Sequence, residues 1–131
     1  KLLGAKRAIV AHGHDGLDEI SVCAPTRISE LRDQQISTYN ISPETYFGGL
    51  SSPEDIRGGD PSENAEITKR ILSGESGPKR DIVLINAAAA LTAAGRAADF
   101  REGISMAENA VDSGGAADKL EALIAFTRES A

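Results

Sequence analysis

The stretch Ala8-Ile9-Val10-Ala11-His12-Gly13-His14-Asp15-Gly16-Leu17-Asp18-Glu19 decides how this chain is read. Its continuous apolar run predicts a strand over 6–12, covered on both faces. Gly13 and Gly16 then let the backbone turn sharply. Beyond the turn, 15–19 is an acidic loop that sets Asp18 beside Glu19. Adjacent like charges are costly without a cation between them. A strand end, a glycine turn and paired hard oxygens are what a site needs to hold Mg²⁺ against a phosphorylated ligand. The competing explanation is a solvated acidic pair that starts another strand.

Working outward, 19–24 is expected to be extended, with Ile20, Val22 and Ala24 on one face and Pro25 interrupting it. Segments 26–31 and 35–41 alternate apolar and polar residues, which predicts a β-hairpin joined by Arg32-Asp33-Gln34. Residues 42–59 are irregular, punctuated by Pro43, Pro53, Gly48-Gly49 and Gly58-Gly59. The character then changes to helix. Asp60 can cap, Pro61 suits the first helical position, and Glu63 can reach back as in a capping box. Ile67, Ile71 and Leu72 form its stripe, and Gly74 ends it. Residues 80–94 are apolar on nearly all sides and Ala-rich, predicting a central buried helix ended by Gly95. Asp99 caps the next helix, with Glu102 at its third position. Ile104, Ala107 and Val111 face inward, and Gly114 stops it. A last helix from Gly115 spaces Leu120, Leu123, Ile124 and Thr127 by three and four. Strands first and helices after, without βαβ alternation, make these residues by themselves α+β.

Composition narrows the function classes. The 131 residues suffice for one domain with its own core. Only 4% are aromatic and none is Trp, so stacking platforms for single-stranded nucleic acid are scarce. A net charge of −6 disfavours a general grip on a phosphate backbone. The longest apolar run is too short and too interrupted to span a bilayer. Cys23 is the sole cysteine, which excludes an intrachain disulfide and fits a reducing compartment. The chain opens at Lys1 and enters a strand almost at once, which reads as a fragment or a processed product.

Other constellations carry less. His12, His14 and Asp18 suggest zinc, but structural zinc wants four N or S ligands and only one Cys exists. His12 is expected to close the strand and His14 to be exposed. Gly58-Gly59-Asp60-Pro61 opens a helix whose N-terminus could attract an anion, yet Asp60 already occupies the cap. Cys23 has no cation placed to activate it, and Ser21 with His12 lacks a third triad partner. Asn86, inside the buried helix, needs partners. It is expected to bond a neighbouring backbone and to orient the 12–19 loop.

Five ordered segments carry a resemblance: His-Gly-x-Asp-Gly-Leu-Asp-Glu at 12–19, Pro-Thr-x-x-x-Glu-Leu at 25–31, Gly-Gly-Asp-Pro-x-x-Asn-Ala at 58–65, Leu-x-Asn-Ala-Ala-Ala-x-Leu at 84–91 and Ala-x-x-Asp-Ser-Gly at 110–115. Together they resemble the C-terminal part of the anthranilate phosphoribosyltransferase family, over nearly the whole chain. The resemblance implies transfer of a phosphoribosyl group from phosphoribosyl pyrophosphate to anthranilate in tryptophan biosynthesis. It implies Mg²⁺ as the cofactor, with Asp18 holding one ion and Glu19 bridging two. It implies an α/β fold, in which this chain is part of a mostly parallel sheet with a β-hairpin, followed by about four helices. Residues 1–131 would then be the C-terminal portion of the α/β domain. The N-terminal helical domain, the glycine-rich pyrophosphate loop and the anthranilate-binding residues would be absent, and the isolated fragment inactive. The resemblance further implies a cytoplasmic homodimer with no nucleic-acid or membrane partner.

The chain departs from the family around 45–49, where a shorter Pro-Glu-Asp-Phe-Gly-Leu pattern is usual, and at 33–35, where the hairpin glycine is missing. Two alternatives stand beside this one. A pyrimidine nucleoside phosphorylase-like enzyme shares the architecture. A non-catalytic relative that binds nucleic acid or a protein partner is the other.

Overall fold

A computed structural model of the chain describes residues 1–129. It opens with β1 (Arg7–Gly13), β2 (Thr26–Arg32) and β3 (Gln35–Ile41), one antiparallel sheet in the order β1-β2-β3. Ala11 pairs with Ile28, and Ile28 with Tyr39. No parallel pair occurs among the described residues, so the mostly parallel sheet implied by the resemblance is not built within this chain. Its strands precede its helices, as the α+β expectation has it.

The hairpin forms without its usual glycine. Asp33 and Gln34 both adopt left-handed backbone, with φ of 49° and 63°. That is the twist a two-residue hairpin turn requires. Non-glycine residues there cost about 1–2 kcal/mol each, which the β2–β3 ladder flanking the turn offsets.

After the sheet come α1 (Glu44–Phe47), a 3₁₀ turn (Pro53–Ile56), α2 (Pro61–Leu72), α3 (Pro78–Ala93), α4 (Phe100–Asp112) and α5 (Gly115–Glu129). The short elements α1 and the 3₁₀ turn lie in the segment expected to be irregular. The divergent residues 45–49 are docked on α4. Tyr46 packs edge-on to Phe100 at 6.3 Å, and Arg101 donates to the Thr45 carbonyl at 2.8 Å. The caps follow the sequence. Asp60 accepts from the Glu63 N–H at 2.9 Å and Asp99 from the Glu102 N–H at 3.0 Å. Glu63 folds back over Gly59 but does not close a capping box, however. Asn64 instead bonds both the N–H and the carbonyl of Gly59 at 2.9 Å.

The main core lies between the sheet and α3–α4, built from Ile20, Val22, Ile28, Ile85, Ala88, Phe100 and Ile104. A smaller cluster joins Leu84, Ala107 and Val111. Helix α4 closes on α3 because Gly103 has no side chain. A Cβ there would stand 2.8 Å from the Ala88 Cα and 2.9 Å from its carbonyl oxygen.

Two expectations need correction. Within the described residues β1 is covered on one face only, since Ile9 and Ala11 pack inward while Val10 is 67% exposed. Helices lie against only one side of this sheet, so the apolar run overstated its burial. Helix α3 is likewise not buried all round. Leu84, Ile85, Ala88 and Thr92 face inward, whereas Val83 and Ala90 are exposed. A run of alanines reads as apolar in sequence but is small enough to line an open groove.

Candidate metal-holding loop

The loop after β1 is built by hydrogen bonds rather than by a strand. Ile20 and Val22 are buried at 2% and 1%, as expected for one face, but Ser21 between them is buried as well, at 1%. Three buried residues in a row cannot belong to an alternating strand. Their backbone groups pair with side chains instead, which satisfies the requirement that buried polar groups find partners. The Ser21 N–H donates to Thr26 Oγ1 at 3.0 Å. Ser21 Oγ donates to Asp15 Oδ2 at 2.6 Å and accepts from the Cys23 and Ala24 N–H groups at 2.9 and 3.2 Å.

The throat of the loop is closed by the Gly13 N–H bonding the Leu17 carbonyl at 2.9 Å and by the His14 N–H bonding the Pro25 carbonyl at 2.9 Å. Gly13 is buried here. A Cβ on it would collide with the Asp15 carboxylate and come within 3.3 Å of the Leu17 and Ser21 Cβ atoms. Only glycine lets the acidic loop fold back so tightly over the strand end.

Asp18 and Glu19 stand exposed at the outer edge of this loop. Neither carboxylate enters a hydrogen bond or an ion pair among the described residues. Asp15, by contrast, is spent on structure, through Ser21 Oγ and through the Leu17 N–H at 3.3 Å. Partial burial, and then the charge of Asp18, push the Glu19 carboxyl above its ordinary value. A cation between the two would relieve that repulsion. The donor set is hard oxygen, the type that Mg²⁺ selects. Among the described residues no three His, Cys, Asp or Glu side chains converge. Two carboxylates leave most of an octahedral shell to water and to a ligand's phosphate oxygens, the usual arrangement for Mg²⁺.

The other sequence candidates fall away. His12 and His14 are both exposed, and the zinc grouping does not form. The Cys23 thiol is pushed up by burial first and then by Asp15 and Asp55, opposite to what a nucleophile needs. It packs against the core as a small side chain. Before α2, the Glu63 carboxylate lies where a Gly59 side chain would and Asn64 bonds both polar groups of Gly59, which leaves no cradle for phosphate. Asn86 bonds neighbouring backbone, as expected. Its Oδ1 accepts the Ile20 N–H, and its Nδ2 donates to the Ile20 and Ile82 carbonyls, each at 2.9 Å. The Ser21–Asp15–Thr26 network has no signature in the sequence, since small polar residues near a loop carry no periodic signal. Among the described residues no helix is long and apolar enough to cross a membrane.

The chain is similar to known proteins in both sequence and fold. Anthranilate phosphoribosyltransferase of Desulfosudis oleivorans is 59% identical over 130 residues, covering 98% of this chain and 38% of that protein. The enzyme of the same name from Syntrophobacter fumaroxidans is 55% identical over 130 residues, covering 99% and 39%. This chain therefore spans about two-fifths of the length of these relatives. The crystal structure of anthranilate phosphoribosyltransferase from Thermus thermophilus superposes with a TM-score of 0.82 at 35% identity, covering 93% of this chain and 36% of that one. The Saccharomyces cerevisiae enzyme in complex with PRPP and Mg superposes at 0.74 with 29% identity, covering 86% and 33%. Residues 1–122 match the family described as the a/b domain of the glycosyl transferases, and it is to this glycosyl transferase family that the chain belongs.

Proposed function

We propose that the chain is the metal-holding part of an anthranilate phosphoribosyltransferase, which moves a phosphoribosyl group from phosphoribosyl pyrophosphate to the amine of anthranilate. The observation that carries this is the pair Asp18 and Glu19, two carboxylates with no hydrogen-bond or ion-pair partner among the described residues, presented by a loop that Gly13, Asp15, Ser21 and Asn86 brace through hydrogen bonds. Relatives of that name cover this chain almost end to end, and one solved relative holds PRPP and Mg.

Asp18 and Glu19 would hold Mg²⁺. When bound, the ion offsets the negative charge that gathers on pyrophosphate as the bond to ribose breaks. The chain's own part is geometric. Gly13 allows the tight turn, Asp15 and Ser21 brace its inside, and the two acidic side chains are left free and facing solvent. Residues outside these 131 would supply the glycine-rich pyrophosphate loop, the anthranilate contacts and the N-terminal helical domain. The chain would be the C-terminal portion of the α/β domain. A cytoplasmic homodimer serving tryptophan biosynthesis completes the proposal.

The test is phosphoribosyl transfer by the full polypeptide that carries this chain. With Mg²⁺ it should form phosphoribosyl anthranilate, and Glu19→Ala should lose about a hundredfold in rate, the equivalent of a few kcal/mol of charge stabilisation. No product, or phosphorolysis of thymidine or uridine instead, would overturn the proposal.

A further inference from the structure

We propose that Asn86 is a positioning residue for the two acidic side chains, and that its carboxamide sets how tightly the loop takes a divalent cation. This rests on the metal proposal above and goes beyond it to a residue on a different element.

Ile20 is the residue next to Glu19. Its N–H belongs to the Glu19–Ile20 peptide group and its carbonyl to the Ile20–Ser21 peptide group. One carboxamide binds both, at 2.9 Å each. The remaining Nδ2 hydrogen goes to the Ile82 carbonyl, one turn back on α3, also at 2.9 Å. Both amide hydrogens are thereby used, and a flipped amide would set donor against donor and acceptor against acceptor. The amide therefore has one orientation and fixes one for the Glu19–Ile20 peptide. The Ile20 side chain is itself buried in the core beside Ile85, the residue preceding Asn86.

The acidic pair is bracketed by two anchors. On one side the Leu17 carbonyl is held by the Gly13 N–H. On the other, Ile20 is held by Asn86. Only Asp18 and Glu19 lie between. Two carboxylates that repel would otherwise swing apart, and fixing a residue's backbone costs conformational entropy. The anchors meet that cost in folding, so a cation meets carboxylates already gathered. The fold uses the same device elsewhere. Asn64 binds both peptide groups of Gly59, one residue before the cap of α2, again holding a loop onto a helix.

The experiment is Mn²⁺ titration of the full polypeptide, read by the loss of the free-ion EPR signal, in wild type, Asn86→Ala and Glu19→Ala. Half-saturating Mg²⁺ and the KM for anthranilate are measured alongside. Asn86→Ala should weaken Mn²⁺ about tenfold, the scale typical of residues that orient metal ligands. It should raise half-saturating Mg²⁺ in step while the anthranilate KM stays put. The Ile20 amide should also exchange with deuterium faster. Unchanged Mn²⁺ affinity in Asn86→Ala, with affinity lost in Glu19→Ala, overturns the role of Asn86 while leaving the metal site standing. Unchanged affinity in both overturns the metal site itself and the inference with it. Should Asn86→Ala fail to fold, Asn86→Gln keeps the amide and fills the space but displaces it by one methylene. It should weaken Mn²⁺ in the same direction, and wild-type affinity there overturns the proposal.

Discussion

Replacing Gly103 by alanine tests whether the approach of α4 to α3 is as close as the support of the loop demands. Two effects oppose each other. In an exposed helix the change would stabilise by about 1 kcal/mol, through higher helix propensity and a less mobile unfolded chain. Here the new Cβ meets the Ala88 Cα and Cβ at 2.8 Å and the Ala88 carbonyl oxygen at 2.9 Å. Carbon atoms in good contact sit about 3.5–4.0 Å apart, so the helices must separate by roughly 1 Å along that line. Two of the three atoms are backbone and cannot swing away. Overpacking of this kind costs about 1–3 kcal/mol, occasionally more. The net expectation is destabilisation of about 1–2 kcal/mol, measured by equilibrium urea unfolding of the chain followed by circular dichroism. Ala88→Gly in the same background removes only the Cβ contact and should not restore wild-type stability. Stability equal to or above wild type for Gly103→Ala would refute the close crossing, and with it the argument that α3 is held rigidly enough to present Asn86.

Two further outcomes follow from side chains remote from the loop. Asp99→Ala removes the acceptor for the Glu102 N–H and should cost about 1 kcal/mol, readable as a lowered urea midpoint with unchanged slope. Tyr39 is pushed up to about 12, by burial first and by its hydrogen bond to Glu30 second. Its unfolded counterpart titrates near 10. The unfolded state therefore loses the proton first, and the stability Tyr39 contributes is full below pH 10 and lost as pH rises through about 12. Tyr39→Phe should be less stable by about 1 kcal/mol at neutral pH, with the gap closing above pH 10. A gap that widens there would contradict the assignment.

Much of this architecture was legible in the sequence because it rests on short-range rules. The alternation across 26–41 gave the hairpin. Asp60, Pro61 and Asp99 marked helix starts, and the half-buried amide of Asn86 found backbone partners. What stayed hidden depends on which faces other elements cover. Val10 belongs to an apolar run but faces outward, because helices pack on one side of the described sheet only. Leu123 keeps helical spacing with Leu120 and Ile124, yet it is 58% exposed and α5 buries none of its residues. Periodicity names a face without saying what will meet it. The capping-box motif at α2 favours Glu63, yet it is the short amide of Asn64 that satisfies both polar groups of Gly59. In the loop itself, the sequence singled out Asp18 and Glu19 by their adjacency. The structural duty of Asp15 is different, and it appears only once Ser21 is seen buried beside it.

The claim on which the rest depends is that Asp18 and Glu19 gather a divalent cation. It is tested most directly by crystals of the full polypeptide grown with Mn²⁺ and phosphoribosyl pyrophosphate, examined for anomalous scattering. The expected result is a Mn²⁺ peak ligated by carboxylate oxygens of both residues and by oxygens of the pyrophosphate. Phosphoribosyl pyrophosphate bound with Mn²⁺ elsewhere, and both carboxylates facing only water, would contradict it.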